Sequence, residues 1–248
     1  MKNIRSAVIL GLFLLIMPLY LFGESGEAYS LGSGWDNTSC VVAMGDELFI
    51  VDDGTLYRVE GNGDYTDLGD GWVDMGGEGC ALGDNLLLVS EGHLYSVDRD
   101  GGYVDLGGGW ESVSAMEALG DVAYIVSDET LYQVDLAGDW EDMGGGWTEM
   151  GGGAALGEYL YLISAGTLYA VDAYGDYADL GDGWGPSWAG TASDGFLYFP
   201  DQDIIYRVDE YGDYQEFSTG WGDIDGMAAI GKTLLLVSDG ELWAVETE

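Results

Sequence analysis

The sequence predicts an all-β protein: a six-bladed β-propeller of four-stranded blades, its ring closed by the N-terminal strand completing the last blade. Three observations carry that expectation. A Gly-Trp pair recurs six times, four short strands fit between successive pairs, and the two ends of the chain each hold part of one blade. The Trp residues stand at 35, 72, 110, 147, 184 and 221. A fixed period of this size marks a repeat architecture, and about 40 residues is the length of one four-stranded blade.

The fourth repeat, from Trp147 to Gly183, shows the elements in order. Residues 153–156 form its first strand, 159–164 its second, 167–172 its third and 176–180 its fourth. Gly157, Gly166 and Gly175 punctuate them, as tight turns require. The stretch Asp172-Ala-Tyr-Gly175 has the Asp start and Gly end of a type I turn. Leu168, Tyr169, Ala170 and Val171 run without polar alternation, so the third strand is covered on both faces. Neighbouring blades provide that cover. An acidic residue follows the third-strand Val in every repeat, at Glu60, Asp98, Asp135, Asp172, Asp209 and Glu246. The expected role of these acids is to accept backbone N–H bonds in the turn.

The closure follows from the ends. The sixth repeat runs from Trp221 through GELWAVETE and lacks a fourth strand, while GEAYSLGSG, residues 26–34, precedes the first repeat and matches GDYTDLGDG at 63–71. Pairing Gly26–Leu31 with Leu242–Glu246 completes blade six and removes two exposed edges.

Composition agrees. The 248 residues include 43 Gly, 17 Tyr and 9 Trp but only 3 Pro, the mixture of short strands and tight turns rather than of disorder. Residues 1–25 read as an export signal, with Lys2 and Arg5 before an apolar run from Ala7 to Phe22 and a cleavage point after Ser25; an uncleaved anchor is the alternative. This places the protein in a secreted, periplasmic or extracellular compartment, with residues 26–248 as the propeller. Cys40 and Cys80 are the only cysteines. They read either as a disulfide permitted by export or as two small buried apolar residues.

Forty-six acidic residues against six basic ones give a net charge of −40. That surface repels phosphate backbones, excluding nucleic acid as a partner, and disfavours anionic membranes. Membrane contact is expected only through an uncleaved leader. Cations, neutral sugars and basic proteins remain compatible.

Gly-Trp, a small apolar inner strand, L-Y-x-V-D and G-D-Y-x-D-L together resemble the repeats of tectonin and tachylectin-type propellers. L-Y-A-V-D-x-x-G is similar to the repeat of pyrroloquinoline-quinone-type propellers. The first resemblance covers nearly all of residues 26–248 and implies a secreted sugar-binding or surface-recognition protein. GPSWAGTASDG in repeat five departs from the pattern.

Candidate sites follow. Trp72, Trp110 and Trp147, with Asp74 and Glu149, form the candidate ligand-binding set; an aromatic face suits a pyranose ring, whereas a Trp wedged between blades has only a packing role. Asp74, Glu149 and Asp223 lie two residues after alternate Trp residues. They could form a three-fold carboxylate ring for Ca²⁺, which takes oxygen ligands; no other cofactor is expected. The one His, His93, has no partner signature for a catalytic triad. The functional expectation is a non-catalytic, multivalent carbohydrate-binding module whose partners are glycans or cell-surface components. The alternatives are a cell-envelope scaffold or protein-interaction propeller and, from a third class, a calcium-dependent hydrolase or quinoprotein-like enzyme.

Overall fold

The computed structural model describes residues 26–76, 79–186 and 189–248. The export-signal expectation falls on 1–25, outside the described residues. All 24 described elements are strands, arranged as six four-stranded antiparallel sheets. Among the described residues no helix is long and apolar enough to cross a membrane.

Six inner strands surround the centre: β2 (Thr38–Met44), β6 (Cys80–Leu82), β10 (Val113–Leu119), β14 (Met150–Leu156), β18 (Thr191–Ser193) and β22 (Ile224–Ile230). Each contacts the next, and β22 contacts β2, so the ring is closed. The closing strand is β1 (Ala28–Ser33), which pairs antiparallel with β24 (Glu241–Glu246), Ala28 opposite Val245 and Ser30 opposite Trp243. The Gly26 amide extends the ladder by donating to the Glu246 carbonyl at 2.8 Å. The pairing is the one the sequence predicts.

The core is six clusters rather than one, each between two adjacent blades. Ile50 packs toward blade six while Val51, the next residue, packs toward blade two. Opposite faces of one strand thus serve two interfaces, which explains apolar runs without alternation. The Trp residues complete these clusters: Trp72, Trp110 and Trp147 sit in three of them.

Blade four shows how the chain makes its turns. After β14 and β15 (Tyr159–Ser164), the third strand is β16 (Thr167–Val171) and the fourth β17 (Tyr177–Asp182). Between them Asp172 Oδ1 accepts the amides of Tyr174 and Asp176 at 2.8 and 3.0 Å. Asp98, Asp135 and Asp209 accept the equivalent pairs. The turn Gly cannot carry a side chain: a Cβ at Gly101 would lie 2.7 Å from the Leu68 carbonyl of the neighbouring blade. β14 begins three residues earlier than the sequence suggests because a bulge lies between Met150 and Gly153.

Candidate active site in the central channel

The six inner strands enclose a central cavity of about 210 Å³. Its narrowest chemistry comes from small residues. Ala43, Ala81, Ala118, Ala155, Ala192 and Ala229, one from each blade, all line it. They are register equivalents, each opposite the second residue of its blade's next strand. Small side chains at this level keep the channel open where bulky ones would fill it.

One residue earlier on each strand stand Val42, Cys80, Glu117, Ala154, Thr191 and Ala228. Five are uncharged; Glu117 is the exception. It is the one carboxyl among the described residues lining the cavity. Its side chain reaches toward blade four, where Gly153 leaves room: a Cβ on Gly153 would lie 3.2 Å from the Glu117 Cγ. The residue keeps partial exposure toward the cavity, yet the protein around its carboxyl removes enough water to push its pKa up to about 8. Burial is the sole cause, since desolvation disfavours the charged form and no cation offsets it. At neutral pH the group is therefore mainly a carboxylic acid, able to donate a proton.

One thiol neighbours this group. Cys80 also lines the cavity, and its pKa is raised by burial first, then by Glu117 and by Cys40. It is held as a neutral thiol, the less nucleophilic form. No disulfide joins Cys40 and Cys80. Cys40 packs in the cluster between blades one and two, Cys80 in that between blades two and three. They thus face opposite sides of the blade-two sheet, and the reading as small buried residues holds.

The predicted sites lie elsewhere. Trp72, Trp110 and Trp147 are only 8, 7 and 7% exposed. Each is clamped edge-to-face against a third-strand Tyr, as Trp147 is by Tyr169 at 5.7 Å between centroids. A wedge so enclosed presents no ring face for stacking. Asp74 and Glu149 are exposed, in left-handed backbone with φ of 45° and 48° in the loops after Trp72 and Trp147. The structure does not gather Asp74, Glu149 and Asp223: among the described residues no three His, Cys, Asp or Glu are grouped to hold a metal ion. Asp223 instead lies near Asp225, whose pKa rises through burial, then Asp223, Asp239 and Asp52. His93 is exposed, its Nδ1 3.1 Å from Asp105 Oδ2.

The cavity does not fit the cofactors that the sequence left open. A hard dication takes six to eight oxygens, several anionic, whereas Glu117 is the one carboxyl among the described lining residues. Pyrroloquinoline quinone is a polycarboxylate, and the described lining contains no Lys or Arg to receive it.

No protein-family model and no curated protein sequence matches the chain. Solved structures do. A gluconolactonase from Xanthomonas campestris matches with TM-score 0.74 at 13% identity, covering 89% of each chain. Regucalcin from Agrobacterium tumefaciens, a calcium-binding protein, matches with TM-score 0.69 at 12% identity, covering 89% of this chain and 93% of its own. A luciferin-regenerating enzyme matches with TM-score 0.68 at 12% identity, covering 89% and 95%. At such identities the likeness fixes the fold.

For the resemblance to tectonin and tachylectin repeats, it supports the propeller repeat. It also corrects two expectations. The carbohydrate-binding expectation gives way, since these neighbours are not lectins and the Trp rings are buried. The expectation of a non-catalytic module falls with it, because enzymes stand among these neighbours.

Proposed function

We propose that the chain is an enzymatic propeller that hydrolyses a small neutral ester or lactone in its central channel, with Glu117 as the proton donor. The observation that carries this reading is a single carboxyl, held among uncharged side chains at the centre of the ring. Like folds in a gluconolactonase and a luciferin-regenerating enzyme support an enzymatic use of the same scaffold. The reading belongs with the hydrolase alternative, without its calcium.

The chemistry is general acid catalysis. Water adds to the carbonyl carbon, the bond from that carbon to the leaving oxygen breaks, and Glu117 protonates the leaving oxygen as it departs. The resulting carboxylate recovers a proton from the added water. A donor with pKa near 8 is matched to neutral pH, and such groups contribute about 10²–10⁴-fold. The small cavity and its alanine ring limit the substrate to a compact molecule. A channel within a protein of charge −40 favours neutral substrates over anions.

The test is a pH–rate profile on δ-gluconolactone and a panel of small lactones and aryl esters, each corrected for spontaneous hydrolysis. For a substrate turned over, kcat/KM is expected to hold steady below pH 8 and to fall about tenfold per unit above it. Glu117→Gln should lose about 10²-fold or more in kcat and abolish that descending limb. Turnover unchanged in Glu117→Gln would overturn the assignment.

A further inference from the structure

A second cavity, of about 630 Å³, opens between blades four and five, away from the central channel. It lies where the first-to-second and third-to-fourth strand turns emerge. Tyr159, Tyr161, Phe196 and Tyr211 bring aromatic rings to it, and Glu158, Asp209 and Glu210 bring carboxylates. No Lys or Arg is among its described lining residues.

This cleft breaks the repeat. The positions equivalent to Tyr159 are Glu47, Asn85, Val122, Phe196 and Thr233, and those equivalent to Tyr211 are Asn62, Asp100, Ala137 and Tyr174; only the junction of blades four and five sets an aromatic from each position side by side. Residues that recur in all blades are explained by building blades. Aromatics concentrated at one junction are not, and two of them stay open to solvent: Tyr159 is 45% and Tyr211 74% exposed. The others are committed. Tyr161 is buried and donates its phenol to the Glu210 carbonyl at 3.3 Å. The Arg207 guanidinium already lies 4.5 Å from the centroid of Phe196, a cation over a ring at the edge of this cleft. Glu210 also hydrogen-bonds the Tyr211 phenol and, with burial, raises its pKa, so the ring stays neutral.

We infer that the cleft between blades four and five binds a small organic cation, an alkylammonium group seated on Tyr159 and Tyr211 and neutralised by Glu158, Asp209 and Glu210. Aromatic faces attract cations through the ring quadrupole, and quaternary ammonium groups suit such cages because they need no hydrogen-bond acceptor. The carboxylates add a local negative field. The volume is that of a small-molecule site.

The test compares choline with its neutral isostere 3,3-dimethylbutan-1-ol, by calorimetry and tyrosine NMR shifts in 150 mM NaCl. Salt at that level suppresses diffuse counterion binding to an acidic surface. Choline should bind at least about tenfold more tightly than the isostere, a difference of ~1.4 kcal/mol. Tyr159→Ala and Tyr211→Ala should each weaken it several-fold and together abolish it. Both rings are exposed, so melting temperatures and circular dichroism should match the parent and exclude misfolding. Equal binding of choline and its isostere would overturn the inference. So would choline binding that survives the double substitution, or a lysine-rich peptide bound at these tyrosines with choline inert.

Discussion

A lone carboxyl at the level where the other blades place Val42, Cys80, Ala154, Thr191 and Ala228 has an energetic signature as well as a catalytic one. Glu117 has a native pKa raised from 4.5 to about 8. Between those values the folded protein binds a proton that the unfolded chain has released, so stability falls as pH rises through that window. The stabilisation is complete below the unfolded pKa and exhausted above pH 8. A tenfold change in acidity is worth about 1.4 kcal/mol, which sets an upper bound of about 5 kcal/mol on the loss. Water reaching the partly exposed carboxyl reduces it. Glu117→Gln removes the titrating group but keeps the shape. The stability difference between variant and parent, from urea unfolding, should therefore move in the variant's favour by a few kcal/mol from pH 5 to 8.5. A flat difference would mean that the carboxyl is hydrated and its pKa ordinary. The other acids cancel in that comparison.

At the level of the element, the third-to-fourth strand turn is where sequence and structure agree most closely. Asp172 accepts two backbone amides through one oxygen, and the same pair of bonds recurs at Asp98, Asp135 and Asp209. Asp172→Ala should cost about 1–2 kcal/mol in urea unfolding, while Asp172→Asn, which keeps the acceptor, should cost much less. These turns were legible because one physical requirement repeats in four blades; in blade one Asn62 Oδ1 takes the Asp64 amide instead, and Glu246 lies within β24 and accepts from the Thr233 hydroxyl. The closing strand was legible because the last repeat lacks a fourth strand and residues 26–34 match one, whereas the Trp rings read either as stacking faces or as wedges. Glu117 was not legible, because one acid among 46 carries no signal by composition. Aligning the inner strands on their hairpins would have exposed it as a lone carboxyl where the other blades place Val, Cys, Ala or Thr. The tyrosine cleft was hidden in the same way: Tyr159 and Tyr211 look ordinary in a Tyr-rich chain, and only their juxtaposition across two blades sets them apart. Repetition displays the scaffold, and the chemistry lies in departures from it. The three-fold carboxylate ring shows the converse, since a period in the sequence does not bring Asp74, Glu149 and Asp223 into contact range of one ion.

At the scale of the whole molecule one effect holds the ring and another opposes it, and salt screens only the second. One is ring closure: β1 supplies the outer edge of blade six, and its Leu31 packs against the cluster that joins blades six and one. Deleting residues 26–34 leaves β24 as an uncovered edge, with unpaired N–H and C=O groups that invite self-association. A loss of about 3 kcal/mol from those bonds and contacts would lower the melting temperature by roughly 10 °C in a domain of this size. The other effect is the net charge of −40, whose self-repulsion opposes the compact state. Raising salt from 0.1 to 1 M shortens the screening length from about 10 Å to about 3 Å, so the intact protein should melt higher in 1 M NaCl. Backbone pairing and apolar packing are not screened in this way. The gap between the intact and truncated proteins should therefore persist while both melting temperatures rise together. If high salt erased the gap, the terminal strand would be acting through charge, and the closed ring would not be what holds the propeller together.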